Sequence, residues 1–207
     1  MLDQETLDRL WNYTDPGLSG QRFQDAMAAT EYDDDEKAEL ATQLGRALGM
    51  QGRFEEADAL LDAIDGEEPT VAVRVLLERG RLLHAGGHSA MAVPLFEQAA
   101  ELGDHLGEEL LAVDALTMLA AADAAHAEPW ARSAIEYAAT AHDSRARRWL
   151  PALHAALGAT LREAGRYPEA IVEFQLAEQW AERAGTPDQQ QEARNAIRSC
   201  EHALAVD

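Results

Sequence analysis

Two histidines four positions apart, His84 and His88, are the first candidates for chemistry, because such a pair on one helix can hold a transition metal. Gly86 and Gly87 fall between them and stop a helix there, and no cysteine or acid cluster completes a ligand set. The acidic run at residues 31–37, EYDDDEK, lacks the spread and the central glycine of a calcium loop. It reads as a helix N-terminus, where the helix dipole favours acids. The single Cys200 excludes an internal disulfide and reads as buried apolar filler. No Ser/His/Asp order with a nucleophile elbow, no glycine-rich phosphate loop and no HExxH helix occurs. The expectation is a non-enzyme with no metal, no cofactor and no catalytic residue.

Other side chains suit recognition better than catalysis. The stretch DSRARRWLP brings Arg145, Arg147, Arg148 and Trp149 together, a basic knot in an acidic chain. Arginine beside an exposed tryptophan suits a partner surface. The other reading packs Trp149 into a joint and pairs the arginines with acids of the preceding segment. Further upstream, Arg74, Leu77, Arg81 and His84 lie at offsets that share one face of a helix turning ~100° per residue. The chain has 207 residues and carries 38 acidic against 17 basic ones, a net charge of −21. Such a surface repels nucleic-acid backbone and anionic lipid, and suits a basic protein or peptide partner, or solubility alone. The N-terminal sequence shows no secretion signal, and no apolar run approaches the ~18 residues of a membrane span. Cytoplasmic localisation, with neither nucleic acid nor membrane as partner, is expected.

The elements that carry these residues are helices. Alternating strand patterns are nearly absent, and alanine, leucine, glutamate and glutamine are plentiful. Apolar residues recur at three and four, as in Leu40, Leu44 and Leu48. Gly52, Gly86, Gly87, Gly103, Gly165 and Gly185 read as stops, and prolines at 16, 69, 129 and 187 read as starts. Pro94 and Pro151 sit inside helical patterns, where each removes a hydrogen bond. Pro151 either kinks a helix or begins one after a separate lead-in turn.

The hairpins repeat. Gly52, Gly87, His126 and Gly165 align at intervals of 35, 39 and 39 residues. Five residues on stand Ala57, Ala92, Ala131 and Ala170; nine residues on stand Leu61, Phe96, Ile135 and Phe174. Seven residues before stand Gly45, Gly80 and Gly158, with Leu119 as the exception. Small residues at a helix crossing allow close approach, and a large one a turn later fills the groove.

The segments LGRALGMQGRFEEADALL and LGATLREAGRYPEAIVEF resemble the tetratricopeptide repeat, and RGRLLHAGGHSAMAVPLF and the degenerate MLAAADAAHAEPWARSAI fall in the same register. The resemblance implies an all-α superhelix of antiparallel helix hairpins in a single domain. Residues 1–32 form a divergent N-terminal hairpin, 38–185 four repeat units and 186–207 a C-terminal capping helix. It also implies that the first helix of each unit lines a concave groove. That would bring Thr42, Arg46, Met50, Arg74, Leu77, Arg81, His84, Leu116, Asp123 and Arg162 to the groove, with Val113, Ala120, Ala155 and Ala159. The lysine and asparagine clamp of chaperone-binding members is not reproduced: Thr42/Arg46, Leu77/Arg81, Leu116/Ala120 and Ala155/Ala159 stand there instead. The function expected is a non-catalytic scaffold that takes a protein or peptide segment in the groove. The groove arginines either hold the ligand or pair with neighbouring glutamates such as Glu78. The alternatives are a homo-oligomerising structural module, such as a homodimer, and a sensor of a signalling peptide or small ligand.

Overall fold

The computed structural model describes residues 2, 4–64 and 68–206; residues 1, 3, 65–67 and 207 of the expected hairpin, first repeat and cap lie outside the described residues. Among the described residues the chain is all α-helix and carries no strand. The fold is an all-α helical repeat divided into two compact units, Met1–Leu111 and Ala112–Asp207.

The first unit holds α1 (Gln4–Leu10), α2 (Pro16–Ala28), α3 (Asp34–Met50), α4 (Phe54–Asp62), α5 (Pro69–Ala85) and α6 (Ser89–Leu106). Helix α3 packs on α2, α4 and α5, and α5 packs on α6. Helix α7 (Glu109–Ala122) lies mostly in the second unit, with α8 (Ala127–Thr140), α9 (Ser144–Arg147), α10 (Leu150–Glu163), α11 (Tyr167–Ala184) and α12 (Pro187–Val206). There α10 packs on α8 and α11, and α12 covers α11 and part of α10.

Local sequence explains where the helices begin. The acidic run starts α3 through a reciprocal capping box: the Glu36 amide donates to Asp33 Oδ1 at 2.9 Å and the Asp33 amide to Glu36 Oε2 at 3.1 Å. Of the two readings of Pro151, the helix start holds: Pro151 is the second residue of α10, and α9 is the separate lead-in turn. Pro94 lies within α6, exposed like Ala90 one turn earlier, so water can reach the carbonyl that the proline leaves unpaired.

Three turns share one geometry. Gly52, Gly87 and Gly165 take φ of 75°, 83° and 74°, the left-handed region. The next residue's amide reaches back into the ending helix: Arg53 to Leu48 O at 3.0 Å, His88 to Leu83 O at 2.8 Å and Arg166 to Leu161 O at 2.9 Å. The paired helices then touch at the glycines that precede these turns. A Cβ on Gly45 would meet Leu61 Cδ2 at 3.0 Å, one on Gly80 would meet Phe96 Cε1 at 2.4 Å, and one on Gly158 would meet Phe174 Cε1 at 2.8 Å. Ala57, Ala92 and Ala170 are fully buried beside those contacts.

Each unit packs its terminal segment onto its own core. At the N-terminus Trp11 lies buried over Phe23 and donates its indole N–H to Gln43 Oε1 at 2.9 Å. At the C-terminus α12 inserts Ala193 and Cys200, and Cys200 joins Leu157, Leu161 and Phe174 in one cluster. Burial raises the Cys200 thiol pKa, consistent with a packing role.

Candidate functional site

The first helices of the repeats bring some expected groove residues together and bury others. Thr42 is fully buried, with its hydroxyl donating to Glu39 O at 2.7 Å, and Leu77 is 2% exposed. Neither can touch a ligand from solvent. The cause is crowding: α3 is flanked by α2, α4 and α5, and α5 by α3, α4 and α6, so each offers solvent only a narrow face.

The arginines divide into two groups. Arg74 Nη2 lies 2.8 Å from Glu39 Oε1, and Glu39 is 1% exposed and accepts the Leu2 amide at 2.9 Å. Arg81 Nε donates to the buried Glu78 at 3.3 Å. Both pairs follow the reading in which groove arginines meet neighbouring glutamates. Arg46 instead lays its guanidinium over the Trp11 ring, 5.6 Å from the centroid. Arg46, Met50 and Arg81 nevertheless share one cleft of about 250 Å³ between α3 and α5, with Gly49, Glu78, Leu82 and Ala85. No second helix contributes to this lining, and Met50 is 48% exposed. His84 stays outside the cleft, with Nδ1 2.9 Å from Ser89 Oγ at the hairpin turn.

The second unit has a counterpart. Ala155, Ala159 and Arg162 of α10 line a cleft of about 330 Å³ closed on its other side by Gln189, Glu192 and Ala196 of α12. Arg162 sits 5.9 Å from the Phe174 ring centroid. Leu116 and Val113 do not join it; they pack in an apolar cluster with Ala134, Ala138 and Leu150. Asp123 closes a turn: its Oδ2 accepts from Trp130 Nε1 at 3.1 Å and His126 Nδ1 at 2.9 Å, and these bonds, the indole's first, hold its carboxyl below the usual range.

The expected basic knot is also redrawn. Arg145 binds Asp143 through its backbone amide and its guanidinium, at 2.8 and 2.9 Å, and lowers that carboxyl's pKa. Trp149 is partly buried against Ala134, Ala138 and Leu150. Arg147 and Arg148 instead line a cleft of about 570 Å³ with Ser144, Trp180, Arg183, Ala184 and Gly185.

Sequence reasoning missed Glu39, Trp180 and Arg183, because their partners are remote in the chain. It also missed a polar network in the second unit. Glu128 takes Arg132 and Arg166, Arg132 reaches Glu173 at 3.5 Å, and Glu173 meets His154 Nδ1 at 2.8 Å. Arg166 first and Arg132 second hold the Glu128 carboxyl below its usual range. The one available signal was the alternation of Glu128, Arg132 and Glu136 at four-residue spacing along α8. Among the described residues no group of three or more histidines, cysteines and acids could hold a metal ion. His84 is in α5 and His88 precedes α6, on opposite sides of a glycine turn. Among the described residues no helix is long and apolar enough to cross a membrane.

The fold is similar to that in the crystal structure of BtubC (BKLC) from P. vanneervenii, with a TM-score of 0.61 over 97% of this chain and 91% of that chain, at 13% sequence identity. A likeness at that identity concerns the fold alone. No family model matches the sequence, and a search of curated proteins finds no match.

Proposed function

We propose that the chain is a tetratricopeptide-like, non-catalytic binding module that receives extended protein or peptide segments at the first-helix cleft of each unit. One observation carries the reading: in each unit the cleft beside a first helix joins arginine to small or apolar side chains. Arg46, Arg81 and Met50 do so in the first unit, and Arg162, Ala155 and Ala159 in the second. Guanidinium groups can fork onto peptide carboxylates or carbonyls while methyl and thioether groups take apolar side chains. Thr42 and Leu77 are no part of this surface, and Arg74 belongs to its foundation. Removing Arg74 would leave the Glu39 carboxylate buried without its cation, which costs about 3–5 kcal/mol of stability.

The test is a displayed peptide library selected on the wild-type chain, followed by titration of the hits against Arg46→Ala and Arg162→Ala. Loss of about tenfold or more in affinity for most hits supports the reading. Unchanged affinity for every hit overturns it.

A further inference from the structure

We infer that the second unit carries a separate site for a short acidic peptide segment, at the cleft lined by Arg147, Arg148, Trp180 and Arg183. It is independent of the first-helix face and shares no residue with it.

The cleft holds about 570 Å³ and gathers its cations from two segments far apart in sequence, α9 with its C-cap and the last turn of α11. Among the described residues no carboxylate lines it. In a chain with 38 acids and 17 bases, Arg53, Arg79, Arg132, Arg145, Arg166 and Arg194 each meet an acid. Arg148 and Arg183 are exposed and make no ion pair among the described residues. Arg147 places one Nη in a hydrogen bond to Ala141 O at 2.9 Å, which fixes its head. Arg183 rests over Trp180, 5.4 Å from the ring centroid. A guanidinium stacked on an indole is held in place with its N–H edge still open, and that edge is the part that binds a carboxylate in a two-pronged fashion. Two or three such groups around a half-buried tryptophan form an anchoring site for alternating acidic and apolar side chains.

Charge also selects the class of anion. At physiological salt, fields from exposed charges fade over ~8 Å. A short acidic peptide therefore feels mainly the local arginines. A nucleic acid long enough to bind tightly would extend over the surrounding surface of a chain with a net charge of −21.

The experiment is fluorescence anisotropy with labelled hexaglutamate, hexaglutamine as the uncharged control, and a short single-stranded oligothymidylate as the nucleic-acid arm. Wild type should bind hexaglutamate, more weakly as salt rises, and should bind neither control. Arg148→Glu/Arg183→Glu should weaken that binding about tenfold or more, and Arg148→Ala/Arg183→Ala should weaken it less. Both changes are at exposed positions, and an unaltered circular dichroism spectrum verifies the fold. The same weakening should appear when Arg148→Glu/Arg183→Glu is added to Arg46→Ala/Arg162→Ala, which separates this site from the proposed groove. Equal binding of hexaglutamine, full affinity in Arg148→Glu/Arg183→Glu, or oligothymidylate binding as tight as hexaglutamate's would each overturn the inference.

Discussion

The hairpins α5–α6 and α7–α8 stand at corresponding places in the repeat and reach their turns by different means. In the first, Gly80 lets the Phe96 ring sit where a Cβ would be, Ala92 is fully buried, and Gly87 turns the chain in the left-handed region. In the second, Leu119 occupies the place of the helix glycine and is 1% exposed, while the turn position is His126 at φ −123°. The burial stripe of α8 has moved: Ala134 and Ala138 are buried, and Ala131 and Ile135 only partly. The shift accompanies a bulky, buried Leu119 at the position where the other units carry glycine. This turn keeps the His126 amide bond to Asp123 O at 3.0 Å, and the Asp123 side chain adds bonds to His126 and Trp130. The repeat is thus a packing rule, and one unit satisfies it with polar side chains where the others use glycine.

The comparison can be broken at the plug. Phe96→Ala should cost about 3–5 kcal/mol in urea unfolding, whereas Ile135→Ala, half-buried, should cost no more than about 2 kcal/mol. Equal losses would mean that the two hairpins pack alike. Next comes the crossing glycine. Gly80→Ala should destabilise by about 1–3 kcal/mol, because the added Cβ meets an aromatic ring and overpacking outweighs the gain in helix propensity. Gly45→Ala should cost less, since Leu61 offers a flexible Cδ2 at 3.0 Å. The third probe is the turn itself. Gly165→Ala should lose about 1–2 kcal/mol by placing a Cβ in the left-handed region, and His126→Gly should gain nothing, because His126 already has an ordinary φ.

The smallest effect expected is that of Asp123→Asn, and it should depend on pH. The Asp123 carboxyl is depressed in the folded chain, first by the Trp130 indole and then by His126. Its contribution is therefore present above the ordinary carboxylate pKa and is lost as pH falls through the lower folded value. Melting curves of wild type and Asp123→Asn should differ at neutral pH and converge in acid. A gap that stays constant down to acid pH would contradict the assignment.

Packing within one hairpin was legible in the sequence, because the crossing glycine, the alanine and the plug lie within a single helix–turn–helix and their sizes decide the contact. So were the acidic start of α3 and the stop between His84 and His88. The site was legible only in part. Arg46, Met50, Arg81, Ala155, Ala159 and Arg162 could be placed from register, but Thr42 and Leu77 are buried by helices whose docking no local pattern records. The Arg74–Glu39 pair, and the meeting of Arg147 and Arg148 with Trp180 and Arg183, join segments distant in the chain. For charged side chains composition sets only the odds of a partner; the fold selects which one.

Two exposed methionines offer the most direct test of the proposed binding face. Met50 lines the first-helix cleft between α3 and α5, and Met91, 61% exposed, lies on the second helix α6. The measurement is methyl NMR of Cε-labelled methionine during titration with a peptide selected on the Arg148→Glu/Arg183→Glu variant, which lacks the other basic cleft. The account predicts that the Met50 methyl shifts as the peptide binds while Met91 stays still. Movement of Met91 with Met50 unperturbed would contradict it.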